Sequence, residues 1–124
     1  MTTTIPARRP PEPGEVYWVE LDPVIGSEQG GRRPVLVLSD NSLHGMSSRV
    51  LICPITTNRQ DWPTKVFIPA GCVVSGAVLT DQARMIDRDH RHLRYIGRLP
   101  DEVTLRVSYR VATYMGIVPA GEAP

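Results

Sequence analysis

Five short runs rich in β-branched and aliphatic residues precede the only helical pattern in the chain. They are bounded by proline, glycine or polar stretches, and they lie at Val16–Leu21, Pro34–Leu38, Val50–Ile55, Val66–Ile68 and Gly76–Asp87. No helical segment alternates with them, which argues against parallel βαβ units. The pattern predicts a mostly β fold of the α+β class, in which a helix packs on a small antiparallel sheet or barrel.

The helical pattern follows the last of these runs. Val103, Val107 and Val111 are four residues apart, so they share one face of a helix. Pro100 suits the first turn, and the two acidic residues after it suit the positive end of the helix dipole. Gly116 is the expected end of this helix.

The length of 124 residues is that of one domain with its own core. Proline-rich ends predict disordered tails over residues 1–13 and 119–124, which leaves a domain over residues 14–118. No apolar run has the length of a signal peptide or a membrane span, so we expect a cytoplasmic protein. The formal net charge is +1, and any nucleic-acid site must therefore be local.

Cysteine and histidine give no sign of a metal centre. Cys53 lies in an apolar run and is expected to be a small core residue, while Cys72 forms no ligand pattern with it. His44, His90 and His92 occupy polar stretches without ligand spacing, so we expect them at the surface. No metal site is predicted.

A loop rich in glycine and charge leads into one of the strands. Gly26–Arg33 reads GSEQGGRR and ends against the apolar run Pro34–Leu38, which predicts a strand buried on both faces. The glycines would let backbone N–H groups approach an anion, and Arg33 offers a planar fork of donors. A solvated hairpin loop explains the same residues equally well.

Other polar residues also have two interpretations. Thr56 and Thr57 follow a buried strand, where hydroxyl groups close a turn or contact a phosphate, and the turn is the more common outcome. Asp81 and Gln82 either face a groove or pair across strands. The two tryptophans are expected in the core or at its rim.

Three segments together resemble the motifs of one protein family. The first is GEVYWVELDPVIGSEQGGRRP from Gly14 to Pro34, the second is PITT over Pro54–Thr57, and the third is DQARMID over Asp81–Asp87. In this order and at these separations they resemble the signature of the MazF/PemK/Kid toxins. The resemblance covers about residues 14–117.

The resemblance implies an SH3-like antiparallel β-barrel of the CcdB/Kid/MazF type, with short helices and a C-terminal helix, working as a homodimer. It implies a sequence-selective endoribonuclease that cuts single-stranded RNA without metal or cofactor and leaves DNA intact. A cognate antitoxin similar to MazE is implied to inhibit it by covering the RNA groove.

The resemblance also assigns site residues. The family's essential Arg corresponds to Arg33, its phosphate-contacting Thr to Thr56, and an acid implicated in activity to Glu28. The positions at which relatives contact RNA correspond to Ser27, Gln29, Thr57, Asp81 and Gln82. Some relatives carry a catalytic Arg where this chain has Leu79, which leaves Arg33 as the main cationic group.

By the family's chemistry, the ribose 2′-OH attacks the adjacent phosphorus and leaves 2′,3′-cyclic phosphate and 5′-OH ends. Two alternatives stay open at this point. One is a non-enzymatic toxin of the same fold that binds a protein such as DNA gyrase, as CcdB does. The other is a catalytically silent module that binds RNA or the antitoxin.

Overall fold

The structure, a computed structural model, describes residues 9–22 and 30–118. The strands in these residues are β1 (Glu15–Glu20), β2 (Arg32–Val37), β3 (Arg49–Thr56), β4 (Lys65–Phe67), β5 (Ala77–Leu79), β6 (Arg84–Asp87) and β7 (Arg94–Arg98). The helices are α1 (Asn41–His44) and α2 (Asp101–Tyr114), and one turn of 3₁₀ helix spans Thr80–Gln82. No helix in these described ranges is long and apolar enough to cross a membrane.

The predicted fold class is confirmed, because all pairings among the described strands are antiparallel and belong to one sheet. The strand order is β4-β5-β3-β2-β1-β7, and β6 pairs with β3 beside β5. The sheet is not closed, since no pairing among the described residues joins β4 to β7. The segment between β4 and β5 reaches β7 instead: a Cβ added at Gly97 would lie 2.7 Å from Val73 Cγ1.

The central strands are buried on both faces, as predicted for β2. Val16 and Leu36 contribute to a core cluster that includes Val103 and Val107 of α2. Tyr17, Val35 and Ile52 belong to a second cluster on the other face. Since side chains alternate along a strand, two apolar layers require the nearly continuous apolar run that β2 has.

The segment Gly76–Asp87, predicted as one strand, is two strands separated by the 3₁₀ turn. β5 pairs with the end of β3, and β6 pairs with its beginning. The backbone carbonyl of Leu51 points to β2, because it accepts from Leu38 N–H at 2.9 Å. Backbone groups alternate between the two edges of a strand, so those of Pro54, three residues further on, point to the other edge, where β5 and β6 pair with β3. Proline has no N–H to donate to them. The prediction was wrong because this interruption is caused by the partner strand.

The strand β7 and the helix α1 escaped prediction. β7 reads RYIGR and follows a charged run, so its own residues give a weak strand signal. It pairs with β1 through an irregular register between Val16 and Tyr17. α1 has four residues and begins at an N-cap, Asp40, whose side chain accepts from Ser42 N–H.

The surface position expected for His44 is wrong. This side chain is 5% exposed, and its Nε2 lies 2.7 Å from Ser39 Oγ. The histidine ends the short helix α1, which turns it inward. His90 and His92 are exposed, as expected.

The prediction of α2 is confirmed. The helix begins directly after Pro100, and Val103 and Val107 are buried. Gly116 has a φ of 75°, a left-handed conformation that glycine adopts without strain and that commonly ends helices.

Residues 9–13, which the sequence places in a tail, contact β1. Glu15 is 4% exposed and accepts hydrogen bonds from Glu12 N (2.7 Å), Arg9 Nη2 (3.0 Å) and Tyr17 Oη (2.9 Å). Burial opposes ionisation of Glu15, but these donors outweigh it and hold the pKa of the carboxyl below its usual value. The rest of the two predicted tails, residues 1–8 and 119–124, lies outside the described residues.

Candidate active site

Arg33 lies near the start of β2, two residues before the point at which β2 begins to pair with β3. On its other side β1 supports it, since Val19 is its cross-strand partner. Its Nε donates to Gly30 O at 2.8 Å, which orients the guanidinium and leaves both Nη groups for other acceptors. Among the described residues, no carboxylate lies within 4.0 Å of it. Within the described residues, the side chain therefore keeps a pair of donors that can bind an anion.

Thr56 is the last residue of β3, two residues beyond Pro54, and β5 supports it through Ala77. Its hydroxyl oxygen accepts from Asn58 N–H at 3.1 Å, so the turn predicted for this position is present. That bond leaves the hydroxyl hydrogen to donate elsewhere. The turn and a phosphate contact are therefore compatible.

Arg33 and Thr56 belong to the same end of the β2–β3 pair. Val35 and Pro54 are the final cross-strand partners there. Because side chains alternate, Arg33 and Thr56 lie on the face that this pair shares. Past it, β2 pairs with β1 and β3 pairs with β5, so the two strands part here, and we call the place where they part, between Arg33 and Thr56, the cleft. The guanidinium of Arg33 and the hydroxyl of Thr56, a residue that is 6% exposed, are therefore two donors at this end of the strand pair.

Three expected site residues lie outside the described residues: Ser27, Glu28 and Gln29. The base of their loop is described, and it is fixed beside Arg33. Leu21 N donates to Gly31 O, and Gly31 N donates to Asp22 Oδ1, each at 2.9 Å. Gly31 has a φ of 71°, which favours glycine at this position.

The remaining expected RNA contacts lie around the end of β3. Thr57 is exposed and directly follows Thr56, while Asp81 and Gln82 belong to the 3₁₀ turn beside the edge of β3 that faces away from β2.

Burial, and then the charge of Asp81, raise the pKa of the Cys53 thiol to about 12. Cys53 is fully buried, as predicted.

Leu79 occupies the position at which some relatives carry an arginine. It is 6% exposed and pairs with Lys65 of β4. A buried apolar side chain cannot replace a cationic group, so Leu79 cannot perform the role of the arginine that some relatives carry.

A groove of about 450 Å³ beside β1 was missed by sequence reasoning. It is lined by Trp18, Val19, Glu20, Arg32 and residues 92–94. The Arg32 Cζ lies 5.7 Å from the Trp18 ring centroid, and 37% of Trp18 is exposed. Alternation along β1 signals that Trp18 and Glu20 share a face, but the residues opposite them are fixed only by strand pairing. The two expected catalytic side chains do not line this groove.

Arginine provides the positive charge at both places. Arg33 serves the cleft, and Arg32 and Arg94 serve the groove. In the part of the chain that the structure describes, no three His, Cys, Asp or Glu side chains are grouped as metal ligands.

Comparison with known proteins identifies the family of this chain. A sequence model of the PemK-like, MazF-like toxins of type II toxin-antitoxin systems matches residues 12–115. The chain belongs to this family. Endoribonuclease EndoA of Bacillus subtilis is 38% identical over 110 residues, which cover 85% of this chain and 94% of that protein. Endoribonuclease toxin MazF of Escherichia coli K12 is 36% identical over 80 residues, covering 64% and 71% respectively. The family predicted from the three motifs is confirmed.

Solved structures give the same result for the fold. A crystal structure of MazF from Deinococcus radiodurans superposes with a TM-score of 0.79 at 35% identity, covering 86% of this chain and 96% of that one. A structure of MazE-MazF from the same organism gives a TM-score of 0.75 at 34% identity, covering 87% and 97%.

Proposed function

We propose that this chain is a sequence-selective endoribonuclease toxin whose catalytic groups are Arg33 and Thr56. Membership of a toxin family whose similar members are named endoribonucleases supports the activity. One observation carries the choice of residues: the cleft at which β2 and β3 part is flanked by a guanidinium and a hydroxyl donor. The substrate is single-stranded RNA, and its site of action is the cytoplasm, where mRNA is found.

The reaction proposed is an in-line transesterification within the RNA. The 2′ oxygen bonds to phosphorus, the bond to the 5′ oxygen breaks, and the 2′-OH proton lost is balanced by one gained on the leaving oxygen. Arg33 stabilises the charge that develops on the phosphorane, and Thr56 donates to a non-bridging oxygen. Because a guanidinium stays protonated at neutral pH, Arg33 acts as a hydrogen-bond donor, and Glu28 is the proposed acceptor of the 2′-OH proton. The nucleophile belongs to the substrate, so DNA is not cut.

RNA selectivity is assigned to the residues that surround the cleft. They are Ser27, Gln29, Thr57, Asp81 and Gln82. Of these, Thr57 and Asp81 are exposed beside β3, which suits contact with an unpaired base.

The antitoxin is a protein similar to MazE, with which a relative of this chain has been crystallised. We propose that it inhibits by laying an extended acidic and apolar segment over the cleft, where a carboxylate would pair with Arg33. Antitoxin peptide and a non-cleavable RNA should therefore compete. Simultaneous binding of both at one cleft would contradict this.

A homodimer is also proposed, on the basis of an exposed apolar surface. Trp62, Tyr114, Met115 and Ile117 are 60%, 49%, 63% and 73% exposed, and Trp62 is thus outside the core, contrary to the sequence prediction. Arg110 Nη1 donates to Pro63 O at 2.7 Å, which brings α2 to the segment before β4, the end strand of the sheet. Apolar side chains beside a strand edge favour association.

Sedimentation at micromolar concentration tests the dimer. The mass should be about twice 13.7 kDa. Trp62→Lys should shift it towards the monomer, while Met46→Lys, at an exposed site that follows α1, should not. A wild-type monomer with full activity would refute the proposal.

Cleavage of single-stranded RNA in excess EDTA tests the catalytic assignment. Arg33→Ala should lower the rate by at least ~10²–10³, the loss typical for one preorganised donor at a transition state. Thr56→Val, which is close in shape, should lower it less. Arg106→Ala, an equal loss of charge on the exposed side of α2, is the matched control and should cut normally.

A second substrate separates binding from chemistry. Replacing the ribose at the scissile site by deoxyribose should abolish cutting and largely preserve affinity. The mechanism is wrong if EDTA stops cleavage or if Arg33→Ala cuts like the Arg106 control.

A further inference from the structure

The groove beside β1 exists because the pairing of β1 with β7 stops early. Trp18 and Arg94 are the last cross-strand partners. Beyond them the carbonyl of Glu20 accepts from Arg91 Nη1 at 2.6 Å, so a side chain takes the place of a neighbouring strand. The outer edge of β1 is therefore open over its last residues, and side chains from both faces of the sheet line the groove.

The groove combines an aromatic surface with positive charge. Trp18 is 37% exposed, and the Arg32 guanidinium lies over its ring. In the described ranges, no carboxylate pairs with Arg32 or Arg94. Glu20, the acid of the groove, accepts from Asp22 N–H at 3.2 Å. A flat ring with a negative group attached matches these side chains.

We propose that this groove binds one nucleotide of the RNA substrate. The base stacks on Trp18, and Arg32 and Arg94 contact the adjoining phosphates. Aromatic side chains and guanidinium planes are the usual stacking partners of unpaired bases. This subsite rests on the proposed endoribonuclease function and adds a binding position to it.

The subsite lies next to the cleft. Val19, which lines the groove, is the cross-strand partner of Arg33. Thr56 lies on the other side of Arg33, towards β3. Trp18 and Arg32 leave the sheet on the face opposite Arg33, so an RNA strand held at Arg33 would pass Val19 and the open edge of β1 to place a neighbouring nucleotide in the groove.

An acidic peptide from a protein partner is the competing occupant. Two arginines would attract its carboxylates as well. The position of the groove beside Arg33 favours the nucleotide, because the RNA chain must continue past the cleft on one side.

Binding is measured with a single-stranded RNA oligonucleotide containing a mapped cleavage site and a deoxyribose at that site. A set of such oligonucleotides carries one abasic nucleotide at each position in turn. Trp62→Phe leaves Trp18 as the only tryptophan, so its emission reports on the groove. We expect RNA to quench this emission, and we expect one abasic position, next to the scissile phosphate, to remove the quenching.

Trp18→Leu should weaken binding about 5- to 150-fold, the equivalent of about 1–3 kcal/mol for a stacked base. It should also lose sensitivity to that single abasic position and raise KM more than it lowers kcat. Arg32→Gln and Arg94→Gln should weaken binding and reduce its salt dependence, while Arg106→Gln, with the same change of charge, should not. The two Arg variants keep the test valid if Trp18→Leu does not fold.

Cleavage by the wild type is measured first, so failure of the proposed function is seen separately. If the wild type cuts RNA but Trp18 emission and the abasic profile do not respond, the subsite is refuted. It is also refuted if the groove variants bind RNA normally and lose affinity only for an antitoxin peptide.

Discussion

Gly76 is the position at which a single methyl group should do most damage to the active-site end of the sheet. Its φ is +116°, a conformation that side-chain-bearing residues rarely adopt. A Cβ at this position would lie 1.9 Å from the carbonyl oxygen of Thr56. The carbonyl oxygen is a backbone atom and the Cβ is bonded directly to the backbone, so no side-chain rotation can relieve this contact. We predict that Gly76→Ala strongly destabilises the protein.

The expected magnitude has two parts. The unfavourable φ costs about 1–3 kcal/mol. Relief of the clash requires the contact to grow from 1.9 Å to at least 3.0 Å, which separates β5 from β3 where Ile55 pairs with Val78 and Thr56 with Ala77. Losing about two hydrogen bonds there adds about 1 kcal/mol each. The total of about 3–5 kcal/mol is a large part of the 5–15 kcal/mol typical of a domain.

Gly71→Ala is the matched control, because Gly71 also has a positive φ (+88°) but nothing within 4 Å of the added Cβ. Gly71→Ala should lower the free energy of unfolding only by the cost of the unfavourable φ. Urea unfolding at pH 7 gives both free energies, and Gly76→Ala should be lower than Gly71→Ala by about 2 kcal/mol or more. RNA cleavage by the folded fraction should also fall for Gly76→Ala, since Thr56 moves with its carbonyl. Equal stability of the two variants would refute the steric argument.

Three further outcomes follow from other contacts. Glu15→Gln should lower the free energy of unfolding at pH 7 by about 1–3 kcal/mol, because the folded state holds the pKa of this carboxyl below 4.5. In urea unfolding, the difference from wild type should persist above pH 4.5 and shrink as the pH falls through the folded pKa. A thiol reagent should modify one cysteine per native chain, Cys72, because Cys53 is fully buried with its pKa raised to about 12; rapid modification of both would contradict this. Gly97→Ala should cost less than Gly76→Ala in thermal unfolding, because its neighbour is the half-exposed side chain of Val73, which can move.

The parts of the fold that sequence predicts are those whose signal lies in their own residues. The apolar run of β2 and the four-residue spacing of α2 are of this kind. β7 and the break between β5 and β6 are not, because they depend on what a neighbouring strand offers. Pro54 illustrates this: its apolar run predicts the strand that contains it, but the missing N–H affects the pairing of another segment.

The candidate site divides in the same way. The motifs identify Arg33 and Thr56 as individual residues, since the residue types and their order are visible in the sequence. Their position on one face, at the same end of the β2–β3 pair, depends on the strand register. A shift of one residue would turn the side chains of one strand to the opposite face. Ser27, Glu28 and Gln29 lie outside the described residues, so their roles stay predictions.

Register also explains why two consecutive arginines have different proposed roles. Arg32 pairs with Glu20 and Arg33 with Val19, so the two side chains leave β2 on opposite faces. Arg33 shares its face with the end of β3, where the phosphate is expected, and Arg32 shares its face with Trp18. An abundance of arginine in the chain, 13 of 14 basic residues, would by itself make such a pair unremarkable. Among the described residues, neither guanidinium has a carboxylate within 4.0 Å, although Glu20 is the cross-strand partner of Arg32. We propose that the two arginines contact one RNA strand from opposite faces of β2.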